Sequence, residues 1–345
     1  MHGRKSLLLT SLLLGTSAAR GEAPTTFAEW QDTYQFDCNG PFEHFAPADV
    51  IEHDGFRFEH TGGTVKVRRM TPRVGKKPKL GVLAGIKDLE PETRALLTRF
   101  LADFEKADVD AVIIGGDTAS EPSDLDRILG FLVTATKRPL LVIAGNMERA
   151  AALNHSVLTL RKVGHTHLLN FDTIRRYDGD GVDVVSIAGY YDRAYLHITG
   201  GCIYKGKDLD TVERAAASAD DVTVLLSHGP PRQRGQQAID YVPGADNVGD
   251  RELTEVISRA RIPFGIFGHI LEAGGHATDL AGKPLPPNKL HSALYLNQGS
   301  ANPLLWRMND GSTAYGLAAI LSIDQKKASY EVLRGSKPKP GAVPE

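Results

Sequence analysis

Asp117, Asn146, His228 and His269 each close a short apolar run: Val112-Ile-Ile-Gly-Gly-Asp117, Leu141-Val-Ile-Ala-Gly-Asn146, Val224-Leu-Leu-Ser-His228 and Phe264-Gly-Ile-Phe-Gly-His269. A run of that length, rich in aliphatic or aromatic side chains and ended by a polar residue, reads as a buried strand whose carboxyl end opens into a site. One carboxylate, one amide oxygen and two imidazoles make a four-donor set suited to one borderline divalent metal ion such as Mn, Fe or Zn. A lone histidine at a strand end is ordinarily structural. Four donors at four such ends favour a shared ion. Gly115 and Gly116 let the chain turn tightly before Asp117.

These donors require a scaffold of strands, and the flanking sequence supplies one. Leu80–Ala84 reads as a strand and Pro91–Lys106 as an amphipathic helix, with Pro91 in the first turn. Strand Val109–Gly115, helix Ser123–Thr136, strand Pro139–Ala144 and a helix within Glu148–Val163 continue the alternation. That order predicts parallel strands joined by right-handed crossovers, with ligands at the carboxyl ends of the strands. The second half changes character. Strands at Phe171–Arg176 and Val182–Gly189 flank the turn-rich Asp178–Gly181, which predicts antiparallel pairing. Helix Leu209–Ala219, with Asp208 as its cap, leads to the His228 strand, and helix Leu253–Arg261 to the His269 strand. Leu294–Gln298, Leu317–Ile323 and Ser329–Leu333 read as closing strands. Phe56–His60 and Thr64–Arg68 alternate around Gly62 and Gly63, which predicts a hairpin, with one edge of the main sheet a natural place for it.

The chain has 345 residues and a formal net charge of −2. It is long enough to bury a full core without staples, and nothing in its charge points to nucleic acid. The basic stretch Lys66–Lys79 (Lys66, Arg68, Arg69, Arg73, Lys76, Lys77, Lys79) reads as a solvated connector. Residues 1–19 read as a secretory signal: a basic start at His2, Arg4 and Lys5, an apolar core from Ser6 to Gly15, and small residues Ser17-Ala-Ala19 before a cleavage point. The core is too short to span a bilayer, and no cysteine follows it directly, so no membrane anchor is expected. The expectation is an exported, periplasmic or secreted protein. It would have an N-terminal extension over 20–79, a main domain over 80–333 and a frayed tail over 334–345. Cys38 and Cys202 are the two cysteines. They either pair, tying the extension to the main domain, or sit as small buried hydrophobes.

The ordered segments Ala84-Gly-Ile-Lys87, Gly116-Asp117, Gly145-Asn-Met-Glu148, Ser227-His-Gly-Pro230 and Gly268-His-Ile-Leu271 resemble the five motifs of the calcineurin-like metallophosphoesterases. Asn297-Gln-Gly-Ser300 resembles the Asn-Pro-Gly-Ser segment that often follows them. The resemblance covers residues 80–333. It implies an α/β fold of two packed mixed β-sheets flanked by helices, and a phosphate-ester substrate or another anionic ligand. In the family one metal is held by the Asp and His of Asp-x-His and the last His of Gly-His-x-His. The second is held by the Asn, the lone His and the first His of Gly-His-x-His, with the Gly-Asp carboxylate bridging the two. Carried over, every donor private to the first metal is missing: Gly85, Lys87 and Leu271 stand there. The second set is complete in Asp117, Asn146, His228 and His269. The histidine that often protonates the leaving group is Met147, whose thioether cannot give a proton.

Lys87 admits three readings: a point charge standing in for the missing ion, an ion pair with Asp117 in a metal-free site, or a solvent-facing side chain. With one dication, Asp117 and Lys87, the site would carry the same formal charge as the two-metal pattern. Three functions stay open: a one-metal phosphoesterase, a pseudoenzyme that binds a ligand or partner in the same cleft, and a two-metal enzyme with a replacement ligand such as His276 or His291. His165 and His167 read as an exposed pair. Tyr190, Tyr191, Arg193, Arg232 and Arg234 read as packing or loop residues near the cleft, and Glu148 as a supporting carboxylate.

Overall fold

The computed structural model describes residues 23–72, 75, 77–119 and 121–337. The expected signal segment and Arg73, Lys76 and the end of the expected tail lie outside the described residues. In chain order the elements are helix α1 (Phe27–Thr33), strands β1 (Asp49–His53), β2 (Phe56–His60), β3 (Thr64–Arg69) and β4 (Lys79–Leu83), and helix α2 (Pro91–Ala107). Then come β5 (Ala111–Ile114), α3 (Pro122–Ala135), β6 (Leu140–Val142), α4 (Ala150–Lys162), β7 (Leu168–Asn170), β8 (Arg176–Asp178) and β9 (Asp183–Ile187). Next are α5 (Gly206–Ala217), β10 (Thr223–Ser227), the ribbon β11 (Tyr241–Val242) and β12 (Asp246–Asn247), α6 (Arg251–Arg259) and β13 (Phe264–Phe267). The chain closes with β14 (His276–Thr278), β15 (Pro284–Leu285), β16 (Leu294–Asn297), the ribbon β17 (Trp306–Arg307) and β18 (Thr313–Ala314), β19 (Leu317–Asp324) and β20 (Lys327–Arg334).

Two mixed sheets result. One has the order β20-β19-β4-β5-β6-β7, the other β1-β2-β3-β8-β9-β10-β13-β16-β14-β15. Strands β4 to β7 are parallel, as the β-α-β-α alternation requires. The period of two along each strand then builds the layers. Val82, Ile113, Leu141, Val224 and Ile266 face one another in a core between the sheets. Leu83, Val112, Ile114, Leu140 and Val142 point the opposite way, under α2, α3 and α4. Val185, Leu225 and Phe267 lie under α5 and α6. Helix α2 sits close because Gly81 has no side chain: a Cβ there would come within 2.7 Å of the Phe104 ring.

The N-terminal hairpin forms with Phe58 opposite Val67. It joins the larger sheet through a parallel pairing of β3 with β8. The basic stretch is not a solvated connector where it is described. Arg68 pairs with Asp178 and Asp180, Arg69 with Asp108 and Asp110, and Lys77 with Asp324. Phe171–Arg176 is not a strand. The Asn170 carboxamide accepts the Asp172 N–H at 3.0 Å and its carbonyl accepts the Ile174 N–H, so the chain turns while Phe171 and Ile174 stay in the core. Helix α5 starts earlier than expected, at Gly206. Asp208 lies inside it and reaches back to the Lys205 N–H at 2.8 Å. His167 is buried, its ring stacked on His53 at the end of β1 with centroids 4.6 Å apart. Cys38 and Cys202 are joined in a disulfide, with Cα atoms 5.2 Å apart. No helix among the described residues is long and apolar enough to cross a membrane.

Candidate metal centre

Asp117 lies just past β5, Asn146 past β6, His228 directly after β10 and His269 after β13, so both sheets present donors to one cleft. The backbone that aims them is unusual. Lys87 (φ 71°), Asp117 (φ 53°) and His269 (φ 64°) occupy the left-handed region, which non-glycine residues seldom adopt and which collects at functional sites. Gly116 also has a left-handed φ, and a Cβ there would lie 2.6 Å from His228 Nδ1. The absent side chain lets the imidazole reach the Asp117 turn.

His228 is fully buried, and its Nδ1 lies 2.9 Å from the Gly115 carbonyl oxygen. A carbonyl only accepts, so Nδ1 carries a hydrogen, and in the neutral ring Nε2 presents a lone pair. Nε2 lies 3.0 Å from Asn146 Oδ1 and 3.3 Å from Asp117 Oδ1. The Asn146 amide cannot be turned around, because its Nδ2 donates to the Tyr195 carbonyl. Asp117 Oδ1 has no hydrogen-bond donor. With the ring neutral, three lone-pair atoms converge in a buried space, which is unfavourable unless a cation joins them. Donors that share one ion at about 2.1 Å stand about 3.0–3.4 Å apart, depending on coordination number, so the spacing fits a divalent ion or a proton on His228.

His269 stands further back. Among the described residues the set of three His, Cys, Asp or Glu donors lying within 4.8 Å of one another is Asp178, Asp183 and Asp220, not one containing His269. Arg176 neutralises that acidic set through 2.9 Å and 3.4 Å contacts to Asp183 and Asp178. The His269 ring lies edge-on to His228 with centroids 5.3 Å apart and packs on Tyr190 at 4.2 Å. Burial, followed by the neighbouring His228, His197 and Lys87 charges, holds the His269 imidazole well below its usual range, and hence neutral. A neutral imidazole is the form that binds metal.

Glu148 supports the floor. Its buried carboxylate accepts the backbone N–H groups of Asp117 (3.2 Å), Thr118, Ala119 (3.1 Å) and Gly145 (2.8 Å). Burial first, and the Asp117 carboxylate next, push its carboxyl up to about 8. Sequence pattern marked Glu148 as supporting without showing that it gathers both donor turns.

The other half of the cleft is apolar. Gly85 has φ 58°, and a Cβ placed there would meet Leu271 Cδ2 at 3.5 Å and Ser300 Oγ at 3.3 Å. Ser300 donates to the Gly85 carbonyl at 2.7 Å, and Asn297 Nδ2 to the Ile270 carbonyl at 2.8 Å, so the Asn297–Ser300 segment braces both turns. The Lys87 ammonium lies over the Trp306 ring, 5.1 Å from its centroid. Among the described residues Asp117 pairs with His228 and not with Lys87. His276 and His291 turn their Nε2 atoms to the Gln237 and Pro286 carbonyls, each at 3.0 Å.

Two residues escaped sequence reasoning. Tyr195 and His197 follow no motif and reach the site through a loop. The His197 N–H donates to the Asn146 carbonyl at 3.1 Å, so the loop from Asp192 to Gly201 is pinned across the donor turn. Its far end is held by the disulfide at Cys202. Gln298 has a buried Oε1 with no donor. A small cavity of about 260 Å³ lies beside the floor, lined by Ala119, Met147, Glu148 and Ile198 among others.

No curated protein matches the sequence. Similar solved structures include the protein TT1561 of Thermus thermophilus, at 12% identity over 75% of this chain and 99% of that one, with a TM-score of 0.48. A dimetal phosphatase from Danio rerio is 13% identical over 76% of this chain and 100% of its own, with a TM-score of 0.45. The Plasmodium inner-membrane-complex anchor GAP50 is 10% identical over 75% and 85%, with a TM-score of 0.46. The profile of the calcineurin-like phosphoesterases matches residues 88–273, which include all four donors. This chain belongs to the calcineurin-like phosphoesterase family.

Proposed function

We propose that the chain is an exported phosphoesterase working with one divalent metal ion (Mn, Fe or Zn) held by Asp117, Asn146, His228 and His269. The observation that carries this reading is the convergence of His228 Nε2, Asn146 Oδ1 and Asp117 Oδ1 at the spacing one shared divalent ion would give. The ion would polarise a phosphoryl oxygen or lower the pKa of the attacking water. The chain's own residues supply the rest. Lys87, not paired with Asp117 and half-buried over Trp306, faces negative charge as it builds on the phosphoryl group. Met147 has no proton to give; the loop that carries His197 is pinned by the His197 N–H to the Asn146 carbonyl, which makes His197 the residue proposed to protonate a leaving group. Because that replacement is exposed and loop-borne, esters with good leaving groups suit the site best. Leu271 against Gly85 supports a single ion, since carbon fills the side where a second set of donors would stand. The basic start and apolar core before residue 20 support export, as does the Cys38–Cys202 disulfide.

A second reading, a non-catalytic binding protein, draws on closure of the site. Asn146 and His228 are fully buried, whereas Lys87 and His269 are partly exposed. Turnover of p-nitrophenyl phosphate by metal-loaded protein separates the two. The enzyme reading expects turnover that falls about 100-fold in Lys87→Ala with metal retained. Absence of turnover with every metal tried overturns it in favour of binding alone.

A further inference from the structure

We infer that the open cleft between Tyr191 and the starts of α5 and α6 is a subsite for a second phosphate group of the ligand. The inference rests on the phosphoesterase reading and narrows its substrate to phosphate esters that carry another phosphate. The cleft has a volume of about 560 Å³, and Lys205, Arg232 and Arg251 line it. None of these three has a carboxylate partner among the described residues. Three cations without ion-pair partners share one concavity with two carboxylates, and an oxyanion offsets the positive charge left in excess. Arginine in particular matches phosphate with paired donors.

The two carboxylates at the rim do not balance the three cations and, among the described residues, form no ion pair with them. Asp250 is buried, and both of its oxygens are engaged, Oδ1 by the Glu252 N–H and Oδ2 by the Tyr204 hydroxyl, each at 2.9 Å. Glu252 is exposed and free to turn to water. Arg232 is held in place by its backbone: its N–H donates to the Asp250 carbonyl at 2.8 Å, and the Asp250 N–H donates to Pro230 at 3.1 Å.

The cleft is joined to the metal donors by two routes. Arg232 lies on the loop that leaves His228 directly. Two ring contacts, His269 to Tyr190 at 4.2 Å and Tyr190 to Tyr191 at 5.0 Å, form a continuous wall between the centres. The Tyr191 hydroxyl is tied to the Val248 carbonyl at 2.9 Å, so the wall is fixed. A ligand with one phosphate on the metal donors and another in this cleft gains from holding both at once.

The test is calorimetric titration of the full chain with inorganic pyrophosphate in excess EDTA, which removes any metal-borne affinity. The account expects binding by wild type and by Asn146→Ala. It expects binding at least about tenfold weaker in Lys205→Ala/Arg232→Ala and in Lys205→Ala/Arg251→Ala. Equal binding in both double variants, or none in wild type, overturns the subsite. Because the titration needs neither metal nor turnover, a failure of the hydrolase reading leaves its outcome legible.

Discussion

On one side of the cleft floor Asp117, Asn146 and His228 turn lone pairs toward one another; on the other, Gly85 and Leu271 set carbon against backbone. Both sides are built the same way, from turns that follow parallel strands and pass through left-handed backbone, at Asp117 and His269 on one and Gly85 and Lys87 on the other. The turn geometry thus persists where the donors do not. Glu148 and the Asn297–Ser300 segment show why: each holds backbone, not ligand side chains, so the turns do not depend on which side chains they carry. In the proposed reading the polar half holds a cation and the apolar half contributes packing.

Removing the support of the polar half should have the largest effect. Glu148→Ala strips acceptors from four backbone N–H groups in a buried space and is expected to cost about 4 kcal/mol in urea unfolding. A loss below about 1 kcal/mol would mean that the donor turns hold themselves.

Acid unfolding in EDTA supplies a reference outside both halves. Burial first, then His53 and His165, push the His167 imidazole down to about 4. The unfolded ring takes its proton near its ordinary value of about 6.5 and the folded ring only at the lower one. Stability is therefore full above that window and lost as pH falls through it, by on the order of 3 kcal/mol. His167→Leu should flatten this slope. An unchanged slope would place the acid sensitivity elsewhere.

Leu271→Ala should cost about 2 kcal/mol by leaving a cavity while metal content stays the same. Loss of metal in that variant would show that the two halves are coupled. The smallest effect is expected at Gly85→Ala, about 1 kcal/mol from a side chain at φ 58° with tight contact to Ser300. A neutral result in urea unfolding would mean that the turn relaxes freely.

The fold was legible because strand periodicity and layer assignment are the same fact: Leu83 and Val82 face opposite cores by alternation alone. Phe171–Arg176 misled because its apolar side chains enter the core from a turn that Asn170 organises. His167 misled because its burial depends on β1, a strand distant in sequence. The retained donors were legible as strand-end residues, whereas the lone-pair clash at His228 depends on the Gly115 and Tyr195 carbonyls, which no side-chain pattern records. Lys87 over Trp306, and the cations around the Tyr191 cleft, depend on loops that come together only in the folded chain.

The central claim is that the polar half holds one ion and the apolar half none. Elemental mass spectrometry of chain purified without chelators tests it most directly, with His228→Ala as control. The account predicts one equivalent of Mn, Fe or Zn per chain, lost in the control. Two equivalents, or none even after reloading with each metal, would contradict it.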